Sequence, residues 1–488
     1  MIAAPKSGSG KTTITCSLLQ LLKNHGKNPV AFKCGPDYID PMFHERVLGV
    51  PSTNLDSYFC PEEELRKIFL ENIMAADIKK PQTEAFAVIE GVMGLFDGLA
   101  GTSIKASSYD IARITRTPVI LVIDAEGASL SIIPLIKGFL AYDMENSGSG
   151  KNLIKGIFLN KTSKSQFIVL KKLIEAECAE SGIKVVGFLS KTSEIVWKSR
   201  HLGLFLPSEI KDLHEQILET AGLLEESLDF EALYEIAGGD FKGQSPLGEG
   251  AGENEEPGRR IEAEGETSPI PKTIKTITFR AVLSVALDEA FCFYYRENLR
   301  MLEKEGFQIR YFSPLHDTAL PPDTEAILLG GGYPELYAAE LESNKAMREA
   351  IKSAVKNGVP MIAECGGFMY LQKKLTVQDG KSYEMCGAIA GECNYTGKLV
   401  RFGYAEFTEK PDSRKSECRE KPLVIKGHEF HYFDSTNNGS DFTASKPLSK
   451  KNWDCMIFTP RMLAGFPHLY YRSNPEIIEW LKKSCKKD

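Results

Sequence analysis

Eleven cysteines are present, yet no two form a C-x-x-C pair and their spacing follows no period. That absence excludes the common zinc and redox motifs and a disulfide framework, and it suits a reducing compartment in which thiols stay free. No apolar run approaches the ~18 residues of a membrane span, and no signal-peptide pattern stands ahead of the first motif. The expectation is a soluble, cytoplasmic protein with no membrane partner. Basic charge is not in excess either: 59 Lys and Arg stand against 66 Asp and Glu, a net charge of −7. Binding a nucleic-acid backbone requires a basic face, so no nucleic-acid partner is expected. The 488 residues suggest roughly three domains by length, and two large α/β domains also fit.

Large apolar residues are nearly missing from "GGDFKGQSPLGEGAGENEEPGRRIEAEGETSPIPK", which runs from Gly238 to Lys272. A stretch so rich in Gly, Glu and Pro cannot bury enough surface to fold, and it reads as a flexible linker over 238–275 between domains at 1–237 and 276–488. Each half alternates short apolar runs with amphipathic stretches, the signature of an α/β fold with parallel sheets flanked by helices. The predicted strands are "NPVAFK", "AFAVIEG", "PVILVID" and "IKGIFLN" in the first half and "AVLSVA", "AILLGG" and "VPMIAE" in the second. No internal repeat of fixed period occurs.

"APKSGSGKTT", residues 4–13, lacks the first Gly of the pattern G-x-x-x-x-G-K-[ST], because Pro5 stands there. What remains is K-x-G-x-G-K-T, a Gly-rich turn before a helix. It reads as a phosphate cradle in which backbone N–H groups wrap a polyphosphate, Lys11 reaches the outer phosphates and the Thr12 hydroxyl holds Mg²⁺. The nucleotide-binding residues are then Lys6, Gly8, Gly10, Lys11, Thr12 and Thr13. The extra Lys6 resembles that of the deviant P-loop subclass, whose second lysine contacts phosphate near a dimer interface, and so points weakly to a homodimer. "TITCSLLQLLKNHG" supplies the helix, with Leu18, Leu21 and Leu22 at helical spacing and Gly26 as its stop.

Ligands of open α/β sheets bind beyond the carboxyl ends of the strands. After "VAFK" comes "CGPDYIDP" with Asp37 and Asp40, and after "FAVI" comes Glu90 among glycines. Singly, the two aspartates read equally well as turn caps and Glu90 as a surface acid. Together beside Thr12 they read as oxygen ligands for Mg²⁺, a hard octahedral ion. Asp124, at a fourth strand end, is as consistent with capping the next helix.

"GVPMIAECGGFMYLQKKL" reads as strand, tight turn and helix, with Cys365 at the turn. A cysteine there is exposed and its thiolate is stabilised by the helix N-terminus, which makes it a candidate nucleophile. The amides of Cys365 and Gly366 would form part of an oxyanion hole, completed from "AILLGGGYPEL" near Gly332. His468, in "AGFPHLYYRSNPE", is placed in a loop before the last helix as the favoured base, with His431 of "KGHEFHYF" in reserve.

These motifs carry a resemblance. "IAAPKSGSGKTT", "KCGPDYIDPMFH", "VIEGVMGLFDG", "RHLGL", "DEAFCFYY", "GGGYPE", "AECGGFMYL", "GHEFHYF" and "FPHLYYRSNP" together resemble the cobyrinate a,c-diamide synthase family over nearly the whole chain except the linker. The resemblance implies an N-terminal domain similar to dethiobiotin synthetase and a C-terminal class I glutamine amidotransferase domain. It implies ATP and Mg²⁺ as cofactors, glutamine as nitrogen donor, and a tetrapyrrole substrate, either cobyrinate or nickel-sirohydrochlorin, in cobalamin or methanogenic nickel-coenzyme synthesis. Cys365 would form a glutamyl thioester with His468 carrying the protons. Ammonia would then displace phosphate from an acyl phosphate steadied by Lys33, while Asp37 and Asp40 hold metal and influence which carboxylate reacts. Alternatives are a cobyric acid synthase, which amidates four other carboxylates, and a partitioning-type P-loop ATPase switch; "GPDYIDP" argues against the first and Cys365 against the second.

Three departures from the pattern stand out. Tyr470 occupies the place, two residues after the histidine, where class I amidotransferases usually have Glu. Ala363 stands where many elbows have Gly. The strand before the P-loop is reduced to "MIAA", against ~5–6 residues for a typical strand.

Overall fold

A computed structural model describes residues 1–148, 150–191, 212–238, 279–411 and 421–486, with the backbone alone at 199–200 and 203–204. The linker expected at 238–275 lies outside the described residues except for Gly238, and so do the side chains of "RHLGL".

The first half is a seven-stranded sheet of β1 (Ile2–Ala3), β2 (Asn28–Cys34), β3 (Ser52–Leu55), β4 (Ala85–Glu90), β5 (Val119–Asp124), β6 (Ile154–Asn160) and β7 (Lys184–Leu189), in the order β3-β2-β4-β1-β5-β6-β7. All its pairings are parallel. Such a sheet is covered on both faces, which is why β2 and β5 read as nearly unbroken apolar runs. Every residue of β2 is buried. β1 is the central strand although only two residues long, and it pairs on both sides with β4 and β5. The helix Lys11–Asn24 covers one face through Ile14, Leu18, Leu21 and Leu22. It is closed by Gly26, whose φ of +70° a side chain would strain.

The second half holds a six-stranded sheet in the order Phe307–Phe312, Ala281–Ala286, Ala326–Leu329, Met361–Glu364, Met462–Gly465 and Ile457–Thr459. Only the last of these runs antiparallel. All seven predicted strands are present. The antiparallel part was not foreseen: a five-stranded sheet in which Val424–His431 pairs with Arg401–Glu409 on one side and with His468–Leu469 on the other. His468 therefore sits on a short strand rather than in the expected loop.

The halves share one apolar core. Tyr295 and Tyr470 belong to the same buried cluster as Tyr38 and Phe59 of the first half. Around it Arg472 pairs with Glu64 at 2.7 Å, Tyr404 donates to Asp56 at 2.8 Å, and Lys426 Nζ donates to the Tyr58 carbonyl at 2.9 Å.

Candidate active site

Because the strands of the first sheet are parallel, β1, β2, β4, β5 and β6 all deliver their carboxyl ends to one edge. Ile2 pairs with Glu90 and Lys33 with Glu90 in adjacent ladders, so the register alone sets the Gly-rich turn, the lysine and the acid side by side. Gly8 and Gly10 hold φ of +77° and +94°. A Cβ on Gly10 would fall 2.2 Å from Asn160 Nδ2, which itself donates to the Ser9 carbonyl at 2.9 Å. Asn160, at the end of β6, thus backs the turn. In the sequence its role is hidden, because an Asn at a strand end reads as a turn residue.

Within this edge Thr12 Oγ1 donates to Glu90 Oε1 at 2.6 Å and approaches Asp40 Oδ2 at 3.4 Å. Lys33 Nζ is ion-paired with both carboxylates, at 3.0 Å to Glu90, and donates to the Gly91 carbonyl. The remaining Glu90 oxygen meets His44 Nε2 at 3.1 Å, and His44 Nδ1 meets Ser52 Oγ at 3.0 Å. Asp37 takes the turn-capping place, its Oδ1 accepting from the amides of Ile39 and Asp40. Asp124 accepts from the Glu126 amide and pairs with Lys161 at 2.7 Å. Lys6 is exposed and Thr13 half-buried in the first turn of the helix. Lys11 is buried, with Nζ donating to the carbonyls of Met93 at 2.7 Å and Lys6 at 3.2 Å.

Burial raises the cost of charge here, and the partners decide who carries it. For Lys33 the burial that would neutralise it is outweighed by Asp40 and Glu90, which hold it well above the usual lysine range. Burial and the neighbouring Asp37 and Glu90 push the Asp40 carboxyl up. Glu90, although buried, is held ionised by Lys33 and His44. Burial, followed by the repulsion of Lys33, brings Lys11 down to about 8. Among the described residues no three His, Cys, Asp or Glu side chains form a ready metal cage. What the site does offer a Mg²⁺·nucleotide is the Thr12 hydroxyl flanked by two carboxylates, an all-oxygen donor set of the kind that ion takes.

His44 lies within "KCGPDYIDPMFH", where the sequence motif alone shows no role for it. The signal was available: Asp40 and His44 are four residues apart on one helical stretch, Ile39–Met42 continuing into Phe43–Val47, and so share a face.

At the second sheet Cys365 follows the strand Met361–Glu364 with φ 46° and ψ −104°, a strained elbow. Its amide donates to the Gly465 carbonyl at 2.8 Å. That bond consumes one of the expected oxyanion donors. The Gly332 amide nitrogen lies 3.2 Å from where a Cβ on Gly366 would stand, so Gly332 and Gly366 do meet beside the elbow. Burial pushes the Cys365 thiol up, only partly opposed by the Gly366 amide, so the isolated group is a thiol and not the thiolate expected from a helix N-terminus. The helix that follows, Gly366–Leu371, has only six residues.

His468 is 3% exposed, and burial, with His431 beyond, lowers it to about 3, leaving a neutral imidazole able to accept a proton. It lies against the glycine loop: a Cβ on Gly331 would stand 2.3 Å from its Cε1. His431, the reserve base, bonds through Nδ1 to the Phe433 carbonyl at 2.7 Å and stacks on Phe466 at 4.0 Å. Tyr470, two residues after His468, stacks on Phe59 at 4.9 Å, and among the described residues His468 Nδ1 has no hydrogen-bond partner.

Comparison with known proteins accounts for both halves. Residues 1–204 match the CobQ/CobB/MinD/ParA nucleotide binding domain, and residues 282–475 match the CobB/CobQ-like glutamine amidotransferase domain. The cobyrinate a,c-diamide synthase of Caldanaerobacter subterraneus subsp. tengcongensis is 36% identical over 99% of this chain and 98% of that protein. Its namesakes in Fusobacterium nucleatum and Thermoplasma acidophilum are 34% and 35% identical, each over 98% of both chains. The chain belongs to the cobyrinate a,c-diamide synthase family. As a member it is an ATP-dependent ligase that uses glutamine, with the nucleotide-binding and amidotransferase parts on one polypeptide. Among the described residues no helix is long and apolar enough to cross a membrane.

Proposed function

We propose that this member of the family amidates the a and c acetate side chains of cobyrinate, with ATP as phosphoryl donor and glutamine as nitrogen source. The observation that carries the reading is the presence, on one chain and against one shared core, of the Thr12–Lys33–Asp40–Glu90 cluster at a Gly-rich turn and the Cys365 elbow with His468. The 36% identity over nearly the full length supports the substrate.

In this reading the Cys365 sulfur attacks the side-chain carbonyl carbon of glutamine while His468 takes the thiol proton. The oxyanion lies between Gly332 and Gly366, and the proton passes to the departing nitrogen, so that ammonia leaves and a glutamyl thioester remains for water to cleave. At the other site the γ-phosphoryl of ATP moves to a carboxylate oxygen of the macrocycle, ADP departs, ammonia attacks the acyl carbon and phosphate leaves. Gly8, Gly10, Lys11 and Thr13 cradle the phosphates, Lys6 approaches them from the rim, and Lys33 steadies the acyl phosphate. Mg²⁺, held by Thr12 with Asp40 and Glu90, would offset charge on the transferring phosphoryl. Asp37 and Asp40, on one turn, govern which carboxylate is presented. Ammonia made in place exceeds the scarce neutral ammonia of bulk water at pH 7, which gives the shared chain its purpose.

A mass-spectrometric assay with ATP, Mg²⁺ and glutamine tests this, offering cobyrinate and nickel-sirohydrochlorin separately and in competition. Two acid-to-amide exchanges on cobyrinate at the higher kcat/KM are expected. Preference for the nickel macrocycle, or ATP turnover with no mass change on either, would overturn the assignment.

A further inference from the structure

Among the described residues no acid or other hydrogen-bond partner meets Nδ1 of His468, although the ring is 3% exposed, and Tyr470, two residues on, faces Phe59 instead. Its orientation therefore has to come from packing. Three rings surround it. His428 stacks on it at 4.9 Å and 16°, Phe293 lies at 6.4 Å, and Tyr38 lies at 5.2 Å and 47°.

The first two belong to the amidotransferase half, but Tyr38 belongs to the nucleotide half. It stands between Asp37 and Asp40 in "GPDYID", on a turn pinned by the Asp37 cap and by the ion pair of Asp40 with Lys33. It is itself 8% exposed and stacks on Phe293 at 5.1 Å and 6°. One wall of the glutaminase base is thus supplied by the loop that carries the carboxylates of the other site. A single residue, Ile39, separates Tyr38 from Asp40, whose side chain touches Thr12 and Lys33.

Resting on the function proposed above, we infer that Tyr38 is a positioning residue for His468. Its ring holds the imidazole in its productive orientation, and the state of the Asp37–Asp40 turn at the nucleotide site thereby sets the rate of glutamine hydrolysis. Engagement of ATP and the carboxylate substrate at Asp40, Lys33 and Thr12 moves or stiffens that turn, and Tyr38 passes the change to His468 as a change of packing. Ammonia is then released when an acceptor is being made, without a charged relay between the sites.

The experiment measures glutamate release by the full-length wild type, Tyr38→Leu and Tyr38→Phe, with and without ATP, Mg²⁺ and cobyrinate, and in parallel amidation driven by ammonium salt. Tyr38→Leu should lower glutaminase kcat about tenfold or more, the scale of loss that follows from misplacing a reacting group, with the KM for glutamine held. Its response to ATP plus cobyrinate should vanish, while Tyr38→Phe, which keeps the ring, retains both. Ammonium-driven amidation should survive in both variants. Wild-type glutaminase kinetics in Tyr38→Leu would overturn the inference. So would a proportional loss of glutaminase and ammonium-driven amidation, which would make Tyr38 a residue of the fold alone, or failure of Tyr38→Phe to restore the rate. If the wild type amidates no macrocycle yet Tyr38→Leu still loses glutaminase with Tyr38→Phe restoring it, the substrate reading falls and the positioning role stands.

Discussion

The two sites hold their working groups by opposite means. At the Gly-rich turn every working side chain is placed by a charged or hydrogen-bonded partner: Glu90 by Thr12, Lys33 and His44, and Asp40 by Lys33. At the elbow the candidate nucleophile Cys365 is placed by backbone strain and the candidate base His468 by rings, with no hydrogen-bond partner for its Nδ1 among the described residues. The contrast follows from what each site handles. On the proposed function, a polyphosphate brings several negative charges, so buried cations and ionised acids have a ligand to answer to, whereas the neutral amide of glutamine would meet a neutral thiol and imidazole. Charge fixes direction over several ångströms. Packing fixes it only while the walls stay in place, which is the basis of the inferred dependence of the second site on the first.

That comparison can be broken in four ways. The largest effect is expected for Cys365→Ala, which should reduce glutamine-dependent amidation by about 10³-fold or more while ammonium salts still support the product. Equal loss with both donors, followed by mass spectrometry, would remove the separation of sites. Next, Lys11→Ala should cost about 10²–10³-fold in amidation with either nitrogen donor, as loss of one transition-state charge contact does, yet leave glutamyl-thioester formation at Cys365 detectable by intact-protein mass.

A smaller effect is expected for His44→Ala, which removes one partner of a fully buried carboxylate. The loss should be about 1–3 kcal/mol of stability, read as a lower unfolding midpoint, and ATP turnover should fall more than glutamate release. The smallest concerns pH. His468 has its folded value near 3, below an ordinary 6.5, so its contribution to stability is complete above about 6.5 and is lost as pH falls toward 3. Glutaminase kcat/KM of the free enzyme should accordingly show no acid limb near 6.5. A limb there would mean a solvated, charge-stabilised histidine and erase the contrast between the sites.

The seven predicted strands and the helix after the Gly-rich turn were legible because continuous apolar runs and helical spacing are local properties. The edge strands Ser52–Leu55 and Phe307–Phe312 were not, being short or only partly buried. The antiparallel sheet escaped as well, because it is assembled from pairings between segments distant in the chain, which no local alternation reveals. His468 reads as a loop residue because a two-residue strand has no period to detect. Asp37 shows a different limit, since the same short side chain in the same turn serves as cap or as ligand and only the geometry of its neighbours distinguishes them.

By itself the sequence determined the chemistry available. It names a phosphate cradle, a set of acids at strand ends, a cysteine at a strand-to-helix turn and a histidine near the end of the chain, each recognisable because local backbone needs and side-chain chemistry are written in adjacent residues. Tertiary structure decided who meets whom. The register that sets Lys33 beside Glu90, the pairing that sets His468 beside His428, and the shared core that brings Tyr38 to the base of the other half join residues tens to hundreds of positions apart. No local pattern encodes such contacts, because they form only when the buried faces of both halves are packed against each other.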